Sequence, residues 1–280
     1  MLIKINTILI SLVIFVSCNS QPGRPDALIA LPTNQAAAVI GNTQYDTMNK
    51  TIHVLVALCD NKYQGIVPVP ATIGNGQDPD HNLYWGCAFG VRSYFNSSKS
   101  WALLTHYYID SIKLERLIFK NEKENYYLVA DAYNGKYIQQ CTIDFLKSCA
   151  GQLKDTLQVN GTTVGIYGNA KLLSYIGHDG LMDFRLATLF QNADNKKRDA
   201  IILACISKQY FSAQLKATGA NPLLWSTGLM SPEAYTLHDA LESYIKKEPA
   251  ENIRSSAARA YSKYQHCSPK AAAKLLVAGW

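Results

Sequence analysis

The sequence predicts an α/β domain: a mainly parallel sheet with helices on both faces, a three-layer sandwich. Two observations predict it. Short, almost continuous apolar runs rich in β-branched residues recur along the chain, and stretches with helical spacing separate them. A third observation agrees. Reactive side chains follow directly after several of the runs, as they do where ligands bind at the carboxyl edge of an open α/β sheet.

The strands are expected at residues 52–58 (IHVLVAL), 126–130 (YYLVA), 172–176 (LLSYI) and 200–204 (AIILA), with a weaker fifth at 222–225 (PLLW). Runs this apolar suit strands buried on both faces. Helices are expected at 87–96, 137–152, 181–191, 208–218, 232–247 and 250–264, with a short one starting at Pro269. Ser231 is the expected N-cap of the helix over 232–247, with Pro232 at its first position and Glu233 in its first turn. Each crossover is long enough to join parallel strands. The third and fourth strands are expected to be neighbours. No internal repeat is visible, so residues 51–280 read as a single domain.

The start of the chain has a different character. Lys4 is the only charge before Cys18, and residues 8–16 (ILISLVIFV) are an apolar run too short to span a bilayer. Residues 1–17 therefore read as a signal peptide. Phe15-Val16-Ser17-Cys18 resembles a bacterial lipobox with Phe15 in place of leucine. That resemblance implies a diacylglycerol on Cys18 and a membrane-anchored lipoprotein of the bacterial cell envelope. Residues 18–50, with Pro22, Pro25 and Pro32, read as a tether.

The formal net charge is +6, and losing Lys4 would lower it by one. The longest basic run is Lys196-Lys197-Arg198, too little for a nucleic-acid partner. Six cysteines follow Cys18, at 59, 87, 141, 149, 205 and 267; none forms a CxxC pair or a zinc spacing. Several sit inside strand-like runs, where a cysteine acts as a small buried hydrophobe. No resident metal or cofactor is expected.

At the expected carboxyl edge stand Cys59-Asp60, Asp131, Gly177-His178-Asp179-Gly180, and Cys205 with Ser207 behind it. A Cys–His pair suits this collection best. A thiol with the ordinary pKa of about 8.5 is mostly protonated at neutral pH, and a nearby imidazole can activate it. His178 and Cys205 close consecutive strands, and neighbouring strands lie about 4.8 Å apart. Gly177 and Gly180 are candidates to bring backbone N–H groups to a developing oxyanion. Asp60, Asp131, Asp179 and Ser207 are candidates to orient the imidazole or hold substrate. A lone cysteine or histidine at a strand end is more often structural, and only their joint placement raises both.

An apolar strand ending in Gly177-His178, then a strand ending in Ala204-Cys205, resembles the caspase-like cysteine peptidases, the group of caspases, legumains, gingipains and clostripains. The resemblance covers residues 51–218. It implies a caspase-like fold, Cys205 as nucleophile, His178 as base, an oxyanion held by backbone N–H groups at Cys205 and near Gly180, and a peptide or protein substrate. Three positions depart from the family pattern: Asp179 follows His178 where glycine is usual, Leu203 replaces a polar residue, and Ile206 follows Cys205.

Two further classes fit the same residues. One is a non-enzymatic binding lipoprotein on the same fold, holding a ligand with the strand edge and the long segment 67–87 (VPVPATIGNGQDPDHNLYWGC). Its stretch 74–85 is expected to overhang the edge and wall the main pocket. The other is a different α/β hydrolase in which Cys205 is structural; the absence of GxSxG argues against a serine elbow.

Overall fold

The computed structural model describes residues 50–280, so the signal peptide 1–17, Cys18 and the rest of the tether to residue 49 lie outside the described residues. In chain order the elements are β1 (Lys50–Ala57), α1 (Val91–Asn96), β2 (Ala102–Tyr107), β3 (Lys113–Asn121), β4 (Tyr126–Tyr133), α2 (Ile138–Cys149), β5 (Lys154–Val159) and β6 (Thr162–Tyr167). They continue with β7 (Leu172–Ile176), β8 (Asp199–Leu203), α3 (Ser207–Thr218), β9 (Asn221–Ser226), α4 (Ala234–Ile245), α5 (Ala250–Gln265), α6 (Pro269–Leu275) and β10 (Leu276–Val277).

Eight strands form one sheet in the order β10-β9-β8-β7-β1-β4-β3-β2. Its centre is parallel: β9, β8, β7, β1 and β4 all run the same way. These are the five apolar runs of the sequence. Strands β3, β2 and β10 are antiparallel additions at the two sides. Strands β5 and β6 pair as a separate hairpin. Side chains alternate across the sheet and divide the core in two. Ile52, Val54 and Val56 of β1 pack with α1, α4 and α5, while Leu55 and Ala57 pack with α2 and α3. The fold is α/β with a large, mostly parallel sheet and helices on both faces.

Several expectations change. The helix expected over 181–191 is a single 3-10 turn at Gly180–Met182 followed by irregular chain. Leu181, Phe184, Leu186 and Phe190 of this segment pack on the core face of α2 and α3. The step of two from Phe184 to Leu186 belongs to extended chain rather than to a helix. Helix α1 keeps only the second half of its expected span, and α4 begins at Ala234 with Glu233 in the cap position. Ser231 does not cap α4; its hydroxyl donates to Gln265.

Strand β4 runs three residues further than expected, to Tyr133, which moves Asp131 from a strand end into the sheet. Asp131 accepts from Arg116 Nε and Nη2 at 2.6 Å each, and from His53 Nε2 at 3.1 Å. Both Asp131 and His53 are fully buried. Asp131 is therefore committed to the sheet interior and does not orient His178. No helix among the described residues is long and apolar enough to cross a membrane.

Candidate functional site

The chain passes from β1 out to β4, then returns to the other side of β1 with β7, β8 and β9. Strand order reverses at β1, and in open α/β sheets the crevice outside the carboxyl ends at such a point is where ligands bind. The β7–β8 register pairs Ile176 with Leu203, and Gly177 N–H donates to the Leu203 carbonyl at 3.2 Å. His178 and Cys205 each stand two residues beyond these strand ends.

Backbone geometry shapes both strand ends. Gly177 lies at φ 144°, and a Cβ there would sit 2.6 Å from the Ala57 carbonyl oxygen. Only glycine lets the chain leave β7 so close to β1. After Cys205 comes Ile206 at φ 50° and ψ 30°. A β-branched residue in the left-handed region is an outlier that costs on the order of 1–3 kcal/mol and is found mostly at functional sites. Its N–H is held by the Gly228 carbonyl at 2.8 Å. This strained turn joins β8 to α3 and carries Cys205 at its start.

His178 is buried, and its Nε2 lies 2.8 Å from Asp183 Oδ2. Gly65 N–H donates to the same oxygen at 2.9 Å, so the loop after β1 helps fix the pair. The carboxylate partner of His178 is thus Asp183, not Asp131 or Asp179. With the Nε2 proton directed at Asp183, the lone pair sits on Nδ1, the nitrogen left to act as base. The Tyr175 hydroxyl donates to the His178 carbonyl at 2.8 Å and fixes the backbone beneath the ring.

Asp179 has a different position. Its Oδ1 accepts from Leu181 N–H at 3.0 Å, while its fully buried Oδ2 has no partner. Burial pushes this carboxyl up to about 7, the Leu181 N–H pulling against it and the nearby Asp183 charge adding to it. The backbone N–H of Gly180, the donor expected for an oxyanion, lies near the Tyr175 hydroxyl.

Cys205 is half-buried. Its sulfur lies 3.4 Å from the donating Met230 N–H and 3.5 Å from the Met230 carbonyl. Burial pushes the thiol up, the Met230 N–H pulls it down, and Asp179 adds a further rise. The resting group is a neutral thiol.

Two other candidates have structural roles. Ser207 donates to the Ile202 carbonyl at 3.0 Å and accepts from Ser226 N–H at 2.9 Å, which stitches β8 to β9. Asp60 accepts from Lys62 and Tyr63 N–H at 2.8 and 3.1 Å and from Gln77 Nε2 at 2.6 Å, organising the loop after β1. That loop does cover the carboxyl edge: Asn82 bonds both the N–H and the carbonyl of Cys59, at 3.1 and 2.8 Å. It lines neither of two clefts elsewhere on the protein. Clefts of about 690 and 430 Å³ lie at the opposite edge, around the start of β2, the β3–β4 turn and α4.

No disulfide joins cysteines among the described residues. No cluster among them could hold a metal ion. No protein-family model, no curated protein and no solved structure matches this chain.

Proposed function

We propose that this chain is a lipid-anchored cysteine endopeptidase of caspase-like type, with Cys205 as nucleophile and His178 as base. The placement of His178 and Cys205 two residues beyond the carboxyl ends of adjacent parallel strands carries the reading. The strained Ile206 beside the thiol and the Asp183–His178 pair support it. Sulfur would attack the scissile carbonyl carbon as its proton passes to His178 Nδ1, and that proton would leave with the amine; water then hydrolyses the thioester.

A second reading has its own observation. Met230 caps the Cys205 sulfur with N–H and carbonyl, and burial keeps the thiol neutral, which suits a non-enzymatic binding protein on the same fold. One experiment separates the two. Purified protein is assayed against a mixed peptide library and treated with iodoacetamide. The peptidase reading expects selective alkylation of Cys205. It also expects losses on the order of 10³-fold in Cys205→Ala and His178→Ala. Peptide cleavage that survives Cys205→Ala, or no cleavage at all, would leave the binding reading in place.

The anchor belongs to the same proposal and rests on residues 8–18. Cys18→Ala is expected to move the protein from the membrane to the soluble fraction on cell fractionation. Unchanged partitioning would remove the lipid.

A further inference from the structure

At the amino edge of the sheet, far from the strand ends that carry His178 and Cys205, three side chains form a relay. Ser98 lies in the turn after α1, where its N–H donates to the Phe95 carbonyl at 3.1 Å. His238 projects from α4. Its Nε2 is 2.9 Å from Ser98 Oγ, and its Nδ1 is 2.9 Å from Asp239 Oδ1. The ring is held edge-on against Tyr94 and Phe95, at centroid distances of 5.4 and 5.5 Å. We propose that Ser98, His238 and Asp239 form a second, serine-based acyl-transfer centre that hydrolyses carboxylic esters.

The hydrogen-bond directions favour an activated hydroxyl. With the Nδ1 proton directed at Asp239, Nε2 presents its lone pair to Ser98. The Ser100 hydroxyl donates to Glu242 Oε1 at 2.6 Å, and Ser100 N–H donates to Ser98 Oγ at 3.2 Å. The Ser98 proton then has two acceptors: His238 Nε2 at 2.9 Å and Ser100 Oγ at 3.0 Å. Nucleophile, base and orienting carboxylate are thus in hydrogen-bond reach in the order that serine catalysis requires.

The relay also faces space. Ser98 and His238 line the cleft of about 430 Å³. That cleft shares Ser98, Lys99, Ser100 and Glu242 with the neighbouring one of about 690 Å³. Trp101 lines the larger cleft, and its buried indole N–H has no acceptor.

The reaction needs only water. Ser98 Oγ bonds to the ester carbonyl carbon while its proton passes to His238 Nε2. The carbon–alkoxy bond breaks, and the alcohol leaves with that proton. Water then adds to the acyl-serine and gives a proton to His238; the carboxylic acid departs, and the proton returns to Ser98. Asp239 is half exposed to solvent, so it stabilises the imidazolium only modestly. Modest stabilisation suits an ester, whose leaving group departs more readily than an amine.

The test uses the full chain with a fluorophosphonate probe and p-nitrophenyl butyrate. The probe is expected on Ser98 by peptide mapping. Ser98→Ala and His238→Gln are expected to lose labelling and ester turnover by roughly 100-fold or more, and Asp239→Asn by roughly 10-fold. Retained melting temperature in Ser98→Ala, with label and turnover lost, supports the centre. Labelling absent or at another residue, or ester turnover equal in Ser98→Ala and wild type, overturns it.

Discussion

Arg116→Met is expected to destabilise the protein by about 3–5 kcal/mol, a large share of the roughly 5–15 kcal/mol that holds an ordinary domain folded. Arg116 meets Asp131 through two 2.6 Å hydrogen bonds, and the carboxylate is fully buried. Burial alone would push Asp131 up, but the Arg116 guanidinium, with His53 behind it, holds the carboxyl well below the usual range. Methionine fills similar space and leaves a buried charge with only a neutral imidazole as partner. His53 is neutral because Tyr167 N–H donates to its Nδ1 at 2.9 Å and burial pulls it below its ordinary value. Both groups have depressed native pKa values. Their contribution is therefore complete above about pH 6.5 and is lost as pH falls, first as unfolded His53 takes up a proton and then as Asp131 does. Urea titrations of wild type and Arg116→Met at pH 7 and 5 measure both effects. A variant within 1 kcal/mol of wild type at pH 7, by the roughly 10% precision of such extrapolations, would mean that the sheet does not depend on this pair.

Asp179→Asn is expected to act in the opposite direction and stabilise the protein at alkaline pH. Asp179 is fully buried, its Oδ2 lacks a partner, and burial raises it to about 7. The gap from the unfolded value of about 3.9 is worth up to roughly 4 kcal/mol, at 1.36 kcal/mol per pH unit. A raised acid pKa means that wild type loses stability as pH climbs from about 3.9 through 7, and the loss levels off above. Asparagine keeps the oxygen that accepts from Leu181 and cannot ionise. The melting temperature of the variant should exceed that of wild type at pH 8.5, and the difference should shrink as pH falls toward 4. Cys205 should also react faster with iodoacetamide at pH 8 in the variant, because the Asp179 charge raises the thiol. A stability difference that does not change with pH would show that Asp179 ionises normally.

The sequence by itself determined the parallel centre of the sheet. A strand covered on both faces can be built only from a near-continuous apolar run, so β1, β4, β7, β8 and β9 were all legible. His178 and Cys205 were legible as the ends of consecutive strands for the same reason. The β5–β6 hairpin carries a local signal as well: Asn160-Gly161, at φ 49° and 78°, is a two-residue turn of the kind that joins hairpins.

Only the tertiary structure decided the rest. Strand β3 contains Glu115 and Arg116, whose burial makes sense only once Asp131, Trp85 and Arg92 are brought against them. The segment 181–191 has helix-forming composition, but its apolar side chains reach the core from extended chain. Asp183 became the partner of His178, and Asp131 withdrew into the sheet, because strand length and turn geometry set where a carboxylate ends. Ser98 and His238 stand 140 positions apart and share no local pattern. Their contact exists because α1 and α4 pack on the same face of the sheet, and side-chain chemistry that depends on such packing leaves no periodic trace in a single sequence.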